Sequence, residues 1–231
     1  MSQFFQAVAD LFKPEGFFVT KFQKITLETW IIIGIVLVAA IALALFAKFG
    51  KKKTMSTKML AIGALCLALA FVLSYIRVLD LPQGGSVTIL SLLPLIIFAY
   101  MFGPVYGLIL CFAYSLLQIL QGPYIVHWAQ FLLDYPLAFT LVGLAGFCRK
   151  NIVLGTVVGY VARYLCHVIS GAIFYAEYAG DAGFSSGLVY SIFYNGFAIV
   201  EMILCLIVLA IPAIRQMLKR LQTQYSLVQK A

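Results

Sequence analysis

Ionisable side chains are scarce in this chain, and four of them lie inside long apolar runs: Asp134, Arg163, His167 and Glu201. Arg77 stands near the end of another run. Charge in hydrocarbon is costly, so such residues face a cavity or a partner. Arg163 and His167 are four apart and share a helix face, as do His167 and Gly171. Tyr190, Tyr194 and Asn195 follow i, i+4, i+5 and form one stripe. Tyr124, His127, Trp128, Tyr175 and Tyr178 crowd two connections between runs. One carboxylate, a histidine, an amide and several tyrosines suit a flat, polar, cationic heterocycle. Aromatic faces stack on rings and attract positive charge, and Asp134 can accept from an amino group or balance a cation. A bare inorganic ion would need more oxygen ligands. Each residue also has a plain structural reading: aromatic belts at the membrane surface, or a helix-to-helix hydrogen bond between Asp134 and His167. Glu201 lies deeper and shows no evident partner.

These residues need elements to hold them. Of 231 residues, 64% are hydrophobic and 10% charged, against about 25% charged in a soluble domain. This composition excludes a water-soluble globule, a disordered chain, a coiled coil and a nucleic-acid-binding domain. Seven apolar segments approach the ~20 residues needed to cross a bilayer: Trp30–Ala47, Met59–Leu79, Thr88–Phe102, Val105–Leu120, Phe131–Phe147, Ile152–Tyr175 and Leu188–Ile211. Phe102-Gly103-Pro104 breaks what would otherwise be one overlong run. The two short segments around it are tilted, kinked at Pro94, or incompletely spanning.

Orientation follows from the basic residues. Lys48, Lys51, Lys52, Lys53 and Lys58, then Arg149 and Lys150, then Arg215, Lys219, Arg220 and Lys230 occupy three alternate regions. Placing these in the cytoplasm puts 11 of 16 basic residues inside, as the positive-inside bias expects. The formal charge of +8 is therefore topology. The C-terminus is then cytoplasmic and the N-terminus outside. Asp134, His167 and the Tyr190–Asn195 stripe fall in the outer half of the bilayer, on three helices, which is how a binding pocket reads from sequence.

The chain divides into an interfacial segment (1–29), an extra transmembrane helix (30–48), a basic linker (49–58), a six-helix domain (59–213) and a basic tail (214–231). Phe4, Phe5, Val8, Leu11 and Phe12 share a helical face that fits an interfacial helix. Five cysteines lie in or beside apolar runs without metal or CxxC spacing, and read as packing residues. No GxxxxGK[ST], HExxH or GxSxG motif is present, so neither ATP hydrolysis nor catalysis is expected from this chain.

Four stretches carry a family resemblance: LPQGGSV at 81–87, QFLLDY at 130–135, RYLCHVISGAIFY at 163–175 and YSIFYN at 190–195. In this order and spacing the chain resembles the thiamine-specific S components of energy-coupling-factor (ECF) vitamin transporters over about residues 58–213. The resemblance implies an all-α integral membrane fold, a six-helix S-component bundle here preceded by one additional N-terminal transmembrane helix. It implies thiamine as transported ligand, no cofactor, and a location in the bacterial cell membrane. As partners it implies a transmembrane coupling subunit and two ATP-binding subunits that use the ATP. Carried over residue by residue, the substrate-binding set is Asp134, Tyr135, His167, Tyr175, Tyr190, Asn195, Tyr124 and Arg163. Gln83, Gly84 and Gly85 form a lid loop, and Ala64 and Ala68 a docking face for the coupling subunit. The extra N-terminal span departs from the family pattern. Gly85 stands where some members place a tryptophan, leaving stacking there to Trp128 or His127. Competing readings are an S component for another vitamin, a proton-coupled transporter using Asp134, His167 and Glu201 as a relay, and an intramembrane enzyme built on His167 and Ser170.

Overall fold

The computed structural model describes residues 55–228. The interfacial segment, the additional N-terminal span and the linker as far as residue 54 lie outside the described residues.

Helix α1, Thr57–Leu73, starts where the Ser56 side chain accepts from the Met59 amide. It stops six residues short of the expected Leu79. Ser74 turns its hydroxyl onto the Phe71 carbonyl (2.6 Å) and accepts from Gln118 and Gln121 of the next hairpin of helices (3.2 and 2.5 Å). Hydropathy alone does not separate the end of a helix from a short strand, and Ile76 and Val78 are β-branched. The chain therefore continues as β1, Arg77–Asp80, paired antiparallel with β2, Ser86–Thr88, with Leu79 opposite Val87.

Helix α2, Leu93–Phe102, carries Pro94 in its first turn, where a missing N–H costs nothing. Pro94 thus begins the helix instead of kinking it. Ten residues rise about 15 Å, half of the ~30 Å hydrocarbon core, so α2 does not span. Nine of the ten are buried: α2 is the central post of the bundle, and its ends lie in protein instead of lipid. Gly103 (φ 96°) makes the turn and Pro104 opens α3, Pro104–Ile119.

Helix α4, Trp128–Cys148, and α5, Ile152–Phe174, are long enough to cross, as is α7, Gly187–Ala210. A single turn, α6 (Tyr178–Asp181), lies between the last two. With α1, α2 and α3 these make six apolar helices among the described residues. Residues Leu133–Leu137 of α4 are π-helical and contain Pro136, which lacks an amide proton and disturbs the α ladder. Helix α7 bends at Asn195 (φ −76°, ψ 2°). Phe98, Ile96, Tyr114, Tyr160 and Leu209 fill one continuous core. Helices α3 and α4 approach so closely that a Cβ on Gly143 would sit 2.5 Å from the Leu108 backbone nitrogen.

Part of the expected basic tail is helical. Helix α8, Pro212–Val228, packs Leu218, Leu221 and Tyr225 against the end of α2. Gln222 donates to the carbonyls of Tyr100 and Arg149, each at 2.9 Å.

Candidate functional site

The π-helical turn around Pro136 aims Asp134 into the space between α4, α5 and α7. Such turns recur at functional sites because they re-aim side chains. Asp134 Oδ1 lies 2.9 Å from His167 Nδ1. Its Oδ2 accepts from Gln130 Nε2 (2.7 Å) and Ser170 Oγ (2.9 Å). A carboxylate only accepts, so His167 carries its proton on Nδ1. His167 Nε2 is buried and has no hydrogen-bond partner among the described residues, which is uncommon for a buried polar atom. Ser170 faces the carboxylate and not the imidazole, which removes the geometry an enzyme would need.

Asp134, His167 and Gln130 line a cavity of about 160 Å³, and Gln83, Gly84 and Gly85 of the β1–β2 loop form part of its wall. Tyr124 and Tyr175, both in its lining, stack on one another with centroids 6.2 Å apart and planes 29° apart. Tyr190 and Tyr194 form a second stacked pair at 5.6 Å. Tyr135 accepts from the Tyr124 amide at 2.9 Å and so fixes the loop before α4. At the mouth, a hydrogen bond with Tyr124 pushes the Tyr178 phenol up. Asn195 donates to the carbonyls of His167 (3.1 Å) and Ser191 (2.9 Å). Its N–H groups thus tie α5 to α7, leaving only its carbonyl oxygen for a ligand. That junction is close: a Cβ on Gly171 would fall 2.2 Å from Ser191 Oγ.

The loop above the cavity is held by α7. Tyr194 Oη accepts from the Gly85 amide (3.1 Å) and donates to the Pro82 carbonyl. Tyr190 Oη donates to Gln83 Oε1 at 3.3 Å. Gln83 and Gly84 both have positive φ (57° and 85°), a region that suits glycine and strains glutamine. Gly85 lets the loop approach: a Cβ there would meet Tyr194 Oη at 2.7 Å. Neither His127 nor Trp128 lines the cavity. His127 instead stacks on Phe174 at 5.0 Å, so the aromatic lining comes from tyrosines, Tyr124, Tyr175, Tyr190 and Tyr194 among them, and from Phe139 and Phe197. Tyr194, expected from its stripe with Tyr190 and Asn195, lines the cavity, and so does Gln130, which spacing alone did not single out although it lies in a stretch that carries the resemblance.

Beneath the cavity, Glu201 has partners that sequence did not reveal. Arg163 Nη1 bonds Glu201 Oε2 at 2.9 Å, and Glu201 Oε1 accepts from Ser91 (2.8 Å) and Thr88. Arg163 also stands over the Phe139 ring, 4.9 Å from its centroid. It lines the cavity floor with its charge already balanced. The partners sit 38 and more than 100 residues apart in sequence, a separation no local pattern bridges. Ala64 and Ala68 are exposed on the outer face of α1, away from the cavity.

A family model described as "Thiamine transporter protein (Thia_YuaJ)" matches residues 60–221. Two curated relatives carry the name "Thiamine transporter ThiT". That of Bacillus subtilis (strain 168) is 32% identical, covering 58% of this chain and 80% of the relative. That of Lacticaseibacillus paracasei is 27% identical, covering 58% and 75%. The fold is similar to a solved structure of ThiT from Listeria monocytogenes, with TM-score 0.60 at 23% identity over 69% of this chain and 96% of the other.

Proposed function

The chain belongs to the thiamine transporter protein family, and from that premise we propose that it is the thiamine-capturing membrane subunit of an ECF-type, ATP-driven uptake system. The observation that carries the reading is the Asp134–His167 pair, with its buried, unpartnered Nε2, in one cavity with the stacked Tyr124 and Tyr175. Thiamine joins an aminopyrimidine, which offers an amino donor, to a thiazolium cation. The amino group donates to His167 Nε2 or to the remaining lone pair of Asp134. The carboxylate balances the cation, and Tyr124, Tyr175 and Tyr190 supply the aromatic faces. Asn195 accepts through its carbonyl, while Tyr135 and Arg163 hold the loop and floor in place.

In this reading residues 59–213 are the binding domain, 1–29 and 30–48 an interfacial segment and membrane anchor, 49–58 a cytoplasmic linker and 214–231 a cytoplasmic tail. The ribbon end of the bundle faces outside. The Gln83-Gly84-Gly85 loop closes over the ligand and opens when Tyr194 and Tyr190 release it. Ala64 and Ala68, small and exposed, let the coupling subunit approach α1, and two ATP-binding subunits drive release inward. A proton relay is disfavoured because Glu201 is tied to Arg163, Thr88 and Ser91 instead of to Asp134 or His167.

Calorimetric titration of thiamine into the purified chain tests this, with riboflavin and biotin titrated in parallel. One-to-one thiamine binding without ATP or partners is expected, weakened at least tenfold by Asp134→Asn and by His167→Ala. Unchanged affinity in both variants would overturn the pocket, and preference for another vitamin would overturn the ligand. Uptake into proteoliposomes holding this chain alone, without ATP, would overturn the dependence on partners.

A further inference from the structure

We infer that α8 is a binding site for anionic phospholipid headgroups, lying along the membrane surface at the end of the bundle opposite the β-ribbon. The placement is forced by chain length. Helix α7 has 24 residues, about 36 Å at the helical rise, and so reaches through the hydrocarbon core. Helix α8 begins two residues after α7 ends, at headgroup level. It does not project into solvent from there: Leu218 is buried, and Gln222 bonds the carbonyls of Tyr100 and Arg149. Those partners lie at the end of α2 and just before α5, so the helix stays against the bundle at that depth.

The chemistry of its free face is one-sided. Arg215, Lys219 and Arg220 are exposed, with Met217 and Ile211 about half exposed beside them. Residues 202–231 contain no Asp or Glu. Among the described residues, Lys58, Arg149 and Lys150 stand at the same end, while Asp80, Glu177 and Asp181 stand at the ribbon end. Nothing in the described protein neutralises the basic end. Phosphate-bearing lipids supply the missing charge, and the apolar Met217 and Ile211 enter the acyl boundary beside them, the pattern of an interfacial helix. The inference does not depend on which ligand occupies the cavity.

Native mass spectrometry of the full chain, equilibrated with equal phosphatidylglycerol and phosphatidylcholine, reads the site directly. The parent is expected to retain phosphatidylglycerol preferentially, and the preference to fall about fivefold per charge removed across Lys219→Gln and the Arg215→Gln/Lys219→Gln/Arg220→Gln variant. The charge-keeping Arg215→Lys/Arg220→Lys variant should retain it, and a cooperative thermal transition at the parent's Tm checks that each variant is folded. Equal retention of the two lipids by the parent, or an unchanged preference in the triple variant, would overturn the inference. So would a triple variant that keeps its lipid but loses a co-purifying coupling subunit, because α8 would then be a protein-docking face.

Discussion

Glu201→Gln isolates the buried ion pair beneath the cavity. The side chains of Glu201 and Arg163 are 1% and 8% exposed, so water cannot replace a lost partner. Removing one member of a buried pair costs about 3–5 kcal/mol, because the other charge stays behind unpaired. Thr88 and Ser91 share Glu201 Oε1, and a glutamine carbonyl oxygen there can still accept from both, which favours the lower end of that range. At about 2–4 °C per kcal/mol for a chain of this size, Tm should fall on the order of 10 °C. Thermal unfolding of the detergent-purified protein, followed by intrinsic fluorescence, reads this. The double variant Glu201→Leu/Arg163→Met removes both charges and should recover most of the loss. If Glu201→Gln melts within about 2 °C of the parent, the pair carries no net interaction. If the double variant melts lowest of all, the cost lies in the hydroxyls of Thr88 and Ser91 instead of in Arg163.

Three further changes test the loop and the α5–α7 junction. Tyr194→Phe removes the bonds to Gly85 and Pro82 and should weaken thiamine binding about 5–10-fold, roughly one net hydrogen bond, chiefly through faster release in stopped-flow fluorescence. Gly84→Ala places a Cβ 2.9 Å from that of Tyr124 at φ 85°, and should lower affinity at least as much while leaving Tm within about 2 °C, since the loop lies outside the core. Gly171→Ala drives a methyl into Ser191 Oγ. It should cost about 1–3 kcal/mol of stability, as overpacking does, and displace Asn195, so that thermal unfolding and titration both respond.

Much of the membrane architecture is legible along the chain, because hydropathy is a local property. The runs that became α3, α4, α5 and α7 lie within a few residues of their expected limits. The Gly103-Pro104 break falls where those two residue types place it. Asp134, His167, Tyr175, Tyr190 and Asn195 could be singled out because polar and aromatic groups are conspicuous in apolar surroundings, Tyr135 only through the family resemblance, and all but Tyr175, which caps α5, sit on spanning helices. All six line the same cavity. Where the reading departed from the structure, the deciding contact was remote. Ser74 ends α1 with help from Gln118 and Gln121, 44 and 47 residues away.

By itself, then, sequence determined that this is a multi-spanning membrane protein, which segments are apolar and which polar groups are set among them, since each follows from side-chain transfer energies summed over neighbours. Only tertiary structure decided that α2 is a buried post too short to span, that Glu201 answers Arg163, and that Tyr194 holds the Gly85 loop across 109 residues of chain. Those outcomes depend on which groups meet in space. A buried charge or donor accepts whatever partner packing brings within 3 Å, and packing is a property of the whole bundle.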